Sequence, residues 1–409
     1  MTAEQRKFVE GIGNIPTDWD VKTADEVSLK ITKGTTPPKA DIVDYKEIPF
    51  LRVNNLGFNG SIDKKSDFVF VSRSAHEGFL ARSKAYPGDI LMNIVGPPLG
   101  KVSLLGHEFS EYNMNQAIVI YRLIDDVIYR DFFLSYLLSN TAQQWLQTRS
   151  KKTSGQQNLT IELCKGLPVP IPALDEQKKI AQILSTWDKA ITTTEQLLAN
   201  SQQQKKALMQ QLLTGKKRLF DKNGVRFSGE WESNHLKKLF QISKGNQLNK
   251  DTLSKSGEYA VINGGIEPSG YTSEYNTEAN TITISEGGNS CGFVGLQSTR
   301  FWCGGHCYAI KNLKIDLNFT YQLLKFNQSK IMRLRVGSGL PNIQKKDLEA
   351  LSVEYPISPE EQQKIAAVLI AADDEIIVLE QKIEQLKQEK KALMQQLLTG
   401  KRRVQPQGK

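Results

Sequence analysis

The chain has 409 residues, 39% of them hydrophobic, with 53 Lys and Arg against 44 Asp and Glu, a net charge of +9 and a pI near 9.1. That length and apolar content suit two to three ordinary domains, and the basic balance favours a polyanionic partner. Four cysteines and no charged-then-apolar leader after MTAEQRKFVEG create the expectation of a reducing cytoplasm, and no apolar run approaches the ~18 residues of a membrane span, so no membrane partner is expected.

The first predicted block covers residues 1–172. Within it IPFLRVNN, GDILMNIVG, GKVSLLG and NQAIVIYRL read as short strands bounded by Gly, Pro and Asn, and RDFFLSYLLSNTAQQWLQ reads as a closing helix. GPPLGK (Gly96 to Lys101) has three residues between its glycines where a phosphate loop has four, and Val102 where the loop needs a magnesium-binding hydroxyl, so a strand-turn-strand hairpin is expected there. Residues 173–218 follow as a long helix with an apolar seam at Ile180, Leu184, Trp187, Ile191, Leu198, Leu208 and Leu212, interrupted by Thr194 and Ser201.

The second block, residues 219–357, repeats the order. YAVINGG, NTITISEGG, GFVGLQ and HCYAIKNL are its strand candidates, and NFTYQLLKFNQSKIMRLR its helix. Cys291, Cys303, His306 and Cys307 lack the paired spacing of structural zinc sites, so a packing role is expected and no metal. Residues 358–403 form the second long helix. Its seam runs Ile365, Leu369, Ala372, Ile376, Leu379, Ile383, Leu386, Lys390, Leu393 and Leu397, a 3.5-residue period. Ser358, Pro359 and Glu361 fit an N-cap, a first-turn Pro and a capping-box Glu, and Gly400 fits a stop. Residues 404–409 are a tail.

KKALMQQLLTGKKR from Lys205 recurs as KKALMQQLLTGKRR from Lys390, 185 positions later, and at the same offset EQKKIAQILSTWDKAITTTEQ lies over EQQKIAAVLIAADDEIIVLEQ. The blocks share only an outline, DWDVKTADEVSLKITKG against EWESNHLKKLFQISKG. The chain therefore reads A-B-A′-B′. Helices of some 38 residues, roughly 57 Å long, each with a stripe to bury, most simply bury it against each other, and the block between them permits an antiparallel pair. The expected fold class is α+β, with two similar globular domains separated by two long helices in an antiparallel coiled coil and an internal pseudo-twofold repeat. SGQQNLT and GSGLPNIQ recur in both blocks, so a shared domain-to-helix junction is expected of them. No Asn-Pro-Pro-aromatic tetrad marks a base methyltransferase, and PTDWDVK packs its acids too tightly for a nuclease, so the pattern is that of a reader without catalytic residues. A self-sufficient methyltransferase or nuclease, or a coiled-coil scaffold for proteins, are the competing readings.

The paired EQ…KKALMQQLLTGK helices, with the entries PIPALDEQ and YPISPEEQ, resemble the specificity subunit of type I restriction-modification systems over essentially the whole chain. The resemblance implies that each A block is a target-recognition domain reading one half of a bipartite site in double-stranded DNA, and that the helices act as a ruler and dock two modification (methyltransferase) subunits. It also implies restriction and translocase subunits as partners. S-adenosylmethionine, ATP and magnesium belong to those partners, and this chain binds no cofactor. Half-sites read on one face lie about one turn, ~34 Å, apart, within reach of such a rod, and unlike A blocks imply an asymmetric target. Guanine is read by Arg and adenine by Asn or Gln. The candidates in the first block are Arg52, Asn54, Asn55, Asn113, Asn115 and Gln116, with Lys33, Lys101, Lys151 and Lys152 for phosphates. In the second they are Asn246, Gln247, Asn289 and Arg300, with Lys244, Arg333, Arg335 and Lys345 for the backbone.

Overall fold

The computed structural model describes residues 5–63, 67–153, 156–337, 339 and 341–404. The chain folds as two compact units: residues up to 193 with those from 382 onward, and residues 194–381. The boundaries fall inside the long helices, Leu174–Leu212 and Pro359–Leu397, because each globular block packs on the start of the helix that follows it and on the end of the other.

In the first unit a four-stranded antiparallel sheet has the order Val102–Leu104, Ile90–Asn93, Ile118–Leu123, Ser28–Lys33. Its central strands are apolar at nearly every position because both faces are covered. Phe132, Phe133 and Tyr136 of helix Arg130–Leu138 cover one face, and Leu51, Leu56, Tyr112 and Met114 the other. The predicted closing helix is two helices, broken at Ser139, whose hydroxyl caps Asn140–Thr148 through the Ala142 amide. A second sheet pairs Asn113–Met114 parallel to Ile48–Leu51, and strand Pro168–Ile171 pairs with Asp20–Thr23 just before the long helix. GPPLGK lies in the connection between the antiparallel strands Ile90–Asn93 and Val102–Leu104.

The second unit repeats the ground plan. Its sheet order is Val294–Gln297, Thr281–Ser285, Cys307–Lys311, Gln241–Lys244; Tyr259–Ile262 runs parallel to Phe301–Cys303; and Trp231–His235 pairs with Ser352–Pro356. Phe319, Leu323 and Leu324 of helix Leu317–Phe326 pack on the sheet together with Ile365 and Leu369 of the long helix.

Within each unit the long helices run antiparallel. In the first, Lys390 Nζ meets Asp188 Oδ1 at 2.5 Å while Arg403 reaches back to Glu176. In the second, Lys205 pairs with Asp373 and Arg218 with Glu361, the same pairs displaced by the repeat. Ile180, Leu184, Leu212, Ile365, Leu369, Ile383, Leu386 and Leu397 are buried. Trp187, Ile191, Leu198, Leu208, Ile376, Leu379 and Leu393 are half-buried, Leu208 and Leu393 at the margins of the two globular cores.

The end of each long helix explains the repeated LTGK-basic-Arg string. Gly400 (φ +62°) and Gly215 (φ +68°) turn the chain, and a Cβ on either would lie 3.2 Å from the indole of Trp19 or Trp231. The Arg three residues on covers that indole, at 5.8 Å in both units, and forks onto the buried Glu at the start of the other helix: Arg403 onto Glu176 (2.7 and 2.9 Å), Arg218 onto Glu361 (2.5 and 2.7 Å). Arg403 also holds Asp18 at 2.9 and 3.0 Å, and its guanidinium is kept charged by both carboxylates, Glu176 first. Glu361 therefore closes no capping box. Ser358 Oγ accepts its amide at 3.4 Å, but its carboxylate is held by Arg218, whose charged fork outcompetes a backbone amide.

Candidate nucleic-acid interface

Loops from the two sheets of each unit meet at one end of the central sheet, held by a shared set of backbone hydrogen bonds. In the first unit Gly34 N donates to Ile118 O (2.9 Å), Thr35 N to Met114 O (2.9 Å) and Asn115 N to Leu51 O (3.0 Å). In the second the same three bonds are Gly245 to Cys307 (2.9 Å), Asn246 to Cys303 (2.9 Å) and Gly304 to Ile262 (2.8 Å). Both glycines are required. A Cβ on Gly34 or Gly245 would stand 2.2 or 2.3 Å from a carbonyl oxygen of the neighbouring loop.

On this common frame the side chains differ. The turn that carries Asn115 and exposed Gln116 in the first unit is Gly304–Gly305 in the second, and there a carboxamide comes from the opposite loop: a Cβ on Gly305 would lie 2.7 Å from Gln247 Oε1. Asn263, which sequence reasoning missed, flanks the same turn and accepts the His306 amide at 2.8 Å. Its only sequence signal is the Asn-Gly-Gly at the end of a strand. Two concave spaces border the turn, one of about 560 Å³ lined by Gln247, Asn263 and Tyr271, and one of about 380 Å³ lined by Lys244, Glu286, His306 and Asn342.

The structure gathers some candidates here and withdraws others. Lys33, Asn115 and Gln116 lie around the first cluster, with Arg52 and Asn54 exposed on the adjoining loop. Lys101 joins it half-buried, donating to Val53 O at 3.1 Å beside the exposed ring of Phe58. Lys151 is exposed on the strand pair Lys151–Thr153 and Gln156–Asn158, which adds to Val95–Gly96; the side chain of Lys152 lies outside the described residues. Asn55 and Asn113 do not reach the surface. Both are fully buried: Asn55 accepts the Arg52 amide, and Asn113 is fixed by His76, Leu80 and Ser83.

In the second unit Asn246, Gln247 and Asn289 are exposed at the loop cluster. Exposed Arg333 and Arg335 follow Met332, which packs against Gly292 of the loop carrying Asn289. Lys244 is paired with Glu286 at 2.6 Å. Arg300 stands at the far end of strand Phe301–Cys303, paired with Glu278 (2.9 Å) over the ring of Tyr275, and Lys345 pairs along its helix with Glu349 (3.5 Å). The recurring SGQQNLT and GSGLPNIQ segments edge the loop clusters, through Gln157 opposite Gly96 and Asn342 opposite Gly287, so they do more than join domain to helix; Ser154, Gly155, Ser338 and Leu340 lie outside the described residues. Cys303 and Cys307 are buried with their thiols in hydrogen-bonding contact, whereas Cys291 donates to Glu286 O and His306 turns to the Glu286 carboxylate, so the four do not form one cluster.

Residues 16–200 and 228–388 match the family model for the type I restriction modification DNA specificity domain. A curated relative from Methanocaldococcus jannaschii, named as a type I restriction enzyme specificity subunit, is 30% identical over 96% of both chains. Another from Mycoplasma pneumoniae, named as a type I specificity subunit, is 39% identical over 34% of this chain, and the match spans little more than a third, 38%, of that relative. The crystal structure of a type I restriction-modification S subunit from M. genitalium superposes over 96% of this chain and 97% of its own with a TM-score of 0.61 at 18% identity, a likeness of fold.

Proposed function

The chain belongs to the type I restriction-modification DNA specificity family, and from that premise we propose that it is the DNA-reading, non-catalytic subunit of such a complex, each unit reading one half of a bipartite asymmetric target. Two modification subunits dock on it, one per repeat, and transfer the methyl group from S-adenosylmethionine; restriction subunits that consume ATP with magnesium join them. The long helices set the distance between half-sites. The observation that carries the reading is the pair of loop clusters: one backbone frame, built twice, presenting Asn115 and Gln116 in one unit and Gln247 over a glycine turn in the other. Carboxamides pair bidentately with adenine, and Lys33 and Lys151 are exposed beside the first cluster for phosphates.

The test uses the chain assembled with its modification subunits. Duplexes bearing the methylated target should bind about a thousandfold or more tighter than scrambled ones at physiological salt, with a steep loss of affinity as salt rises. Equal affinity for both would refute it.

A further inference from the structure

A separate constellation lies in the first unit, beside the segment that leads into the Asn115–Gln116 turn. His76, in helix Arg73–Glu77, is fully buried, and its Nδ1 is 2.5 Å from Asn113 Oδ1. Asn113 donates its amide hydrogens to Leu80 O (3.2 Å) and Ser83 O (3.3 Å), so its oxygen faces the ring and Nδ1 carries the imidazole hydrogen. On a neutral ring Nε2 is then a bare lone pair. That nitrogen makes no well-aligned hydrogen bond among the described residues, yet Glu111 Oε1 lies 3.3 Å away, near enough that the His76 ring is the first cause holding the Glu111 carboxyl below its usual range, and Glu77 Oε1 lies at 3.8 Å. A lone pair facing two carboxylate oxygens is repulsive, and a positive charge removes the conflict, either a proton on Nε2 shared with Glu111 or a metal ion among the three atoms.

The donor atoms lie within 4.8 Å of one another, and ligand atoms around a tetrahedral zinc ion stand about 3.4 Å apart. Two carboxylates and a neutral imidazole cancel a divalent charge. The outer oxygens are already engaged, Glu77 Oε2 by Lys84 (2.5 Å) and Glu111 Oε2 by Arg73 (3.4 Å), while the same bases approach the inner oxygens only at 4.0 and 3.9 Å. Carboxylate ligands are commonly hydrogen-bonded from outside in this way, and an imidazole ligand is oriented by an acceptor on its other nitrogen, the place Asn113 holds. A mixed nitrogen and oxygen set suits zinc and its neighbours over magnesium or calcium.

We propose that His76 Nε2, Glu77 and Glu111 bind one divalent transition-metal ion of the zinc class, with Asn113 as the residue that positions the imidazole. The ion staples helix Arg73–Glu77 to residues 111–114 and so stiffens the approach to the reading turn.

Full-length protein stripped with chelator and titrated with zinc chloride by calorimetry should take up one equivalent, and cobalt(II) should give a visible spectrum without thiolate charge-transfer bands. Glu77→Gln and Glu111→Gln should each weaken uptake at least tenfold; the Glu77 side chain is 54% exposed, so that variant folds. No uptake, uptake indifferent to both variants, a thiolate spectrum, or a protonated His76 imidazolium persisting in zinc-saturated protein would each overturn the proposal.

Discussion

Arg218→Ala removes one half of the clamp in the second unit. Glu361, its partner, has a side chain only 1% exposed, while Arg218 is 19% exposed. Truncation leaves a buried carboxylate without its counter-charge, a change that costs 3–5 kcal/mol in buried pairs; partial solvent access to the guanidinium places this case near the lower bound, about 3 kcal/mol. Loss of the arginine over Trp231 adds about 0.5 kcal/mol. Replacing both members, Arg218→Met with Glu361→Leu, removes the orphaned charge and should come within about 1 kcal/mol of the parent. Urea unfolding followed by tryptophan fluorescence measures the difference, and amide exchange over residues 359–365 should speed by about a hundredfold in the single variant if opening is local. A single variant within about 0.5 kcal/mol of the parent, or a double variant as unstable as the single, would refute the reasoning.

Leu369→Ala empties a fully buried site where the long helix meets the second core, and should cost 2–5 kcal/mol in the same urea experiment. Asn115→Ala with Gln116→Ala should relax base preference at the first half-site by 1–3 kcal/mol per lost bidentate contact, whereas Lys33→Ala should weaken binding evenly across sequences and lower the salt slope by about 1, as competition binding with single-base variants will show. Burial pushes the Cys164 thiol up to about 11, so at pH 8 it is protonated, and iodoacetamide should label it in urea but not in the folded chain, as read by mass spectrometry.

The repeat, the heptad stripe and three of the four strands of each central sheet could be read from the sequence because each is a periodic or local signal: Ile365, Leu369 and Leu397 stand on the predicted stripe and are buried, whereas the more polar edge strands Ser28–Lys33 and Gln241–Lys244 carry no such signal. What could not be read depends on partners far along the chain. Asn113 looks like Asn115 in sequence, yet one is fully buried against a histidine 37 residues earlier and the other edges a loop cluster. Glu361 fits a capping box until Arg218, 143 residues away, claims its carboxylate. The shared Trp outline of the blocks and the shared LTGK string of the helices were visible separately, but their meeting, Trp19 under Arg403, is a contact between the two ends of the sequence.

The central claim, that each unit reads its own half of the target, is tested most directly by exchanging residues 1–172 for the corresponding block of another family member, assembling the chimaera with its modification subunits, and mapping methylated positions across a genome. One half-site should change to that of the donor and the other should stay as it was. If both halves change together, or neither does, the two units do not read independently and the account is contradicted.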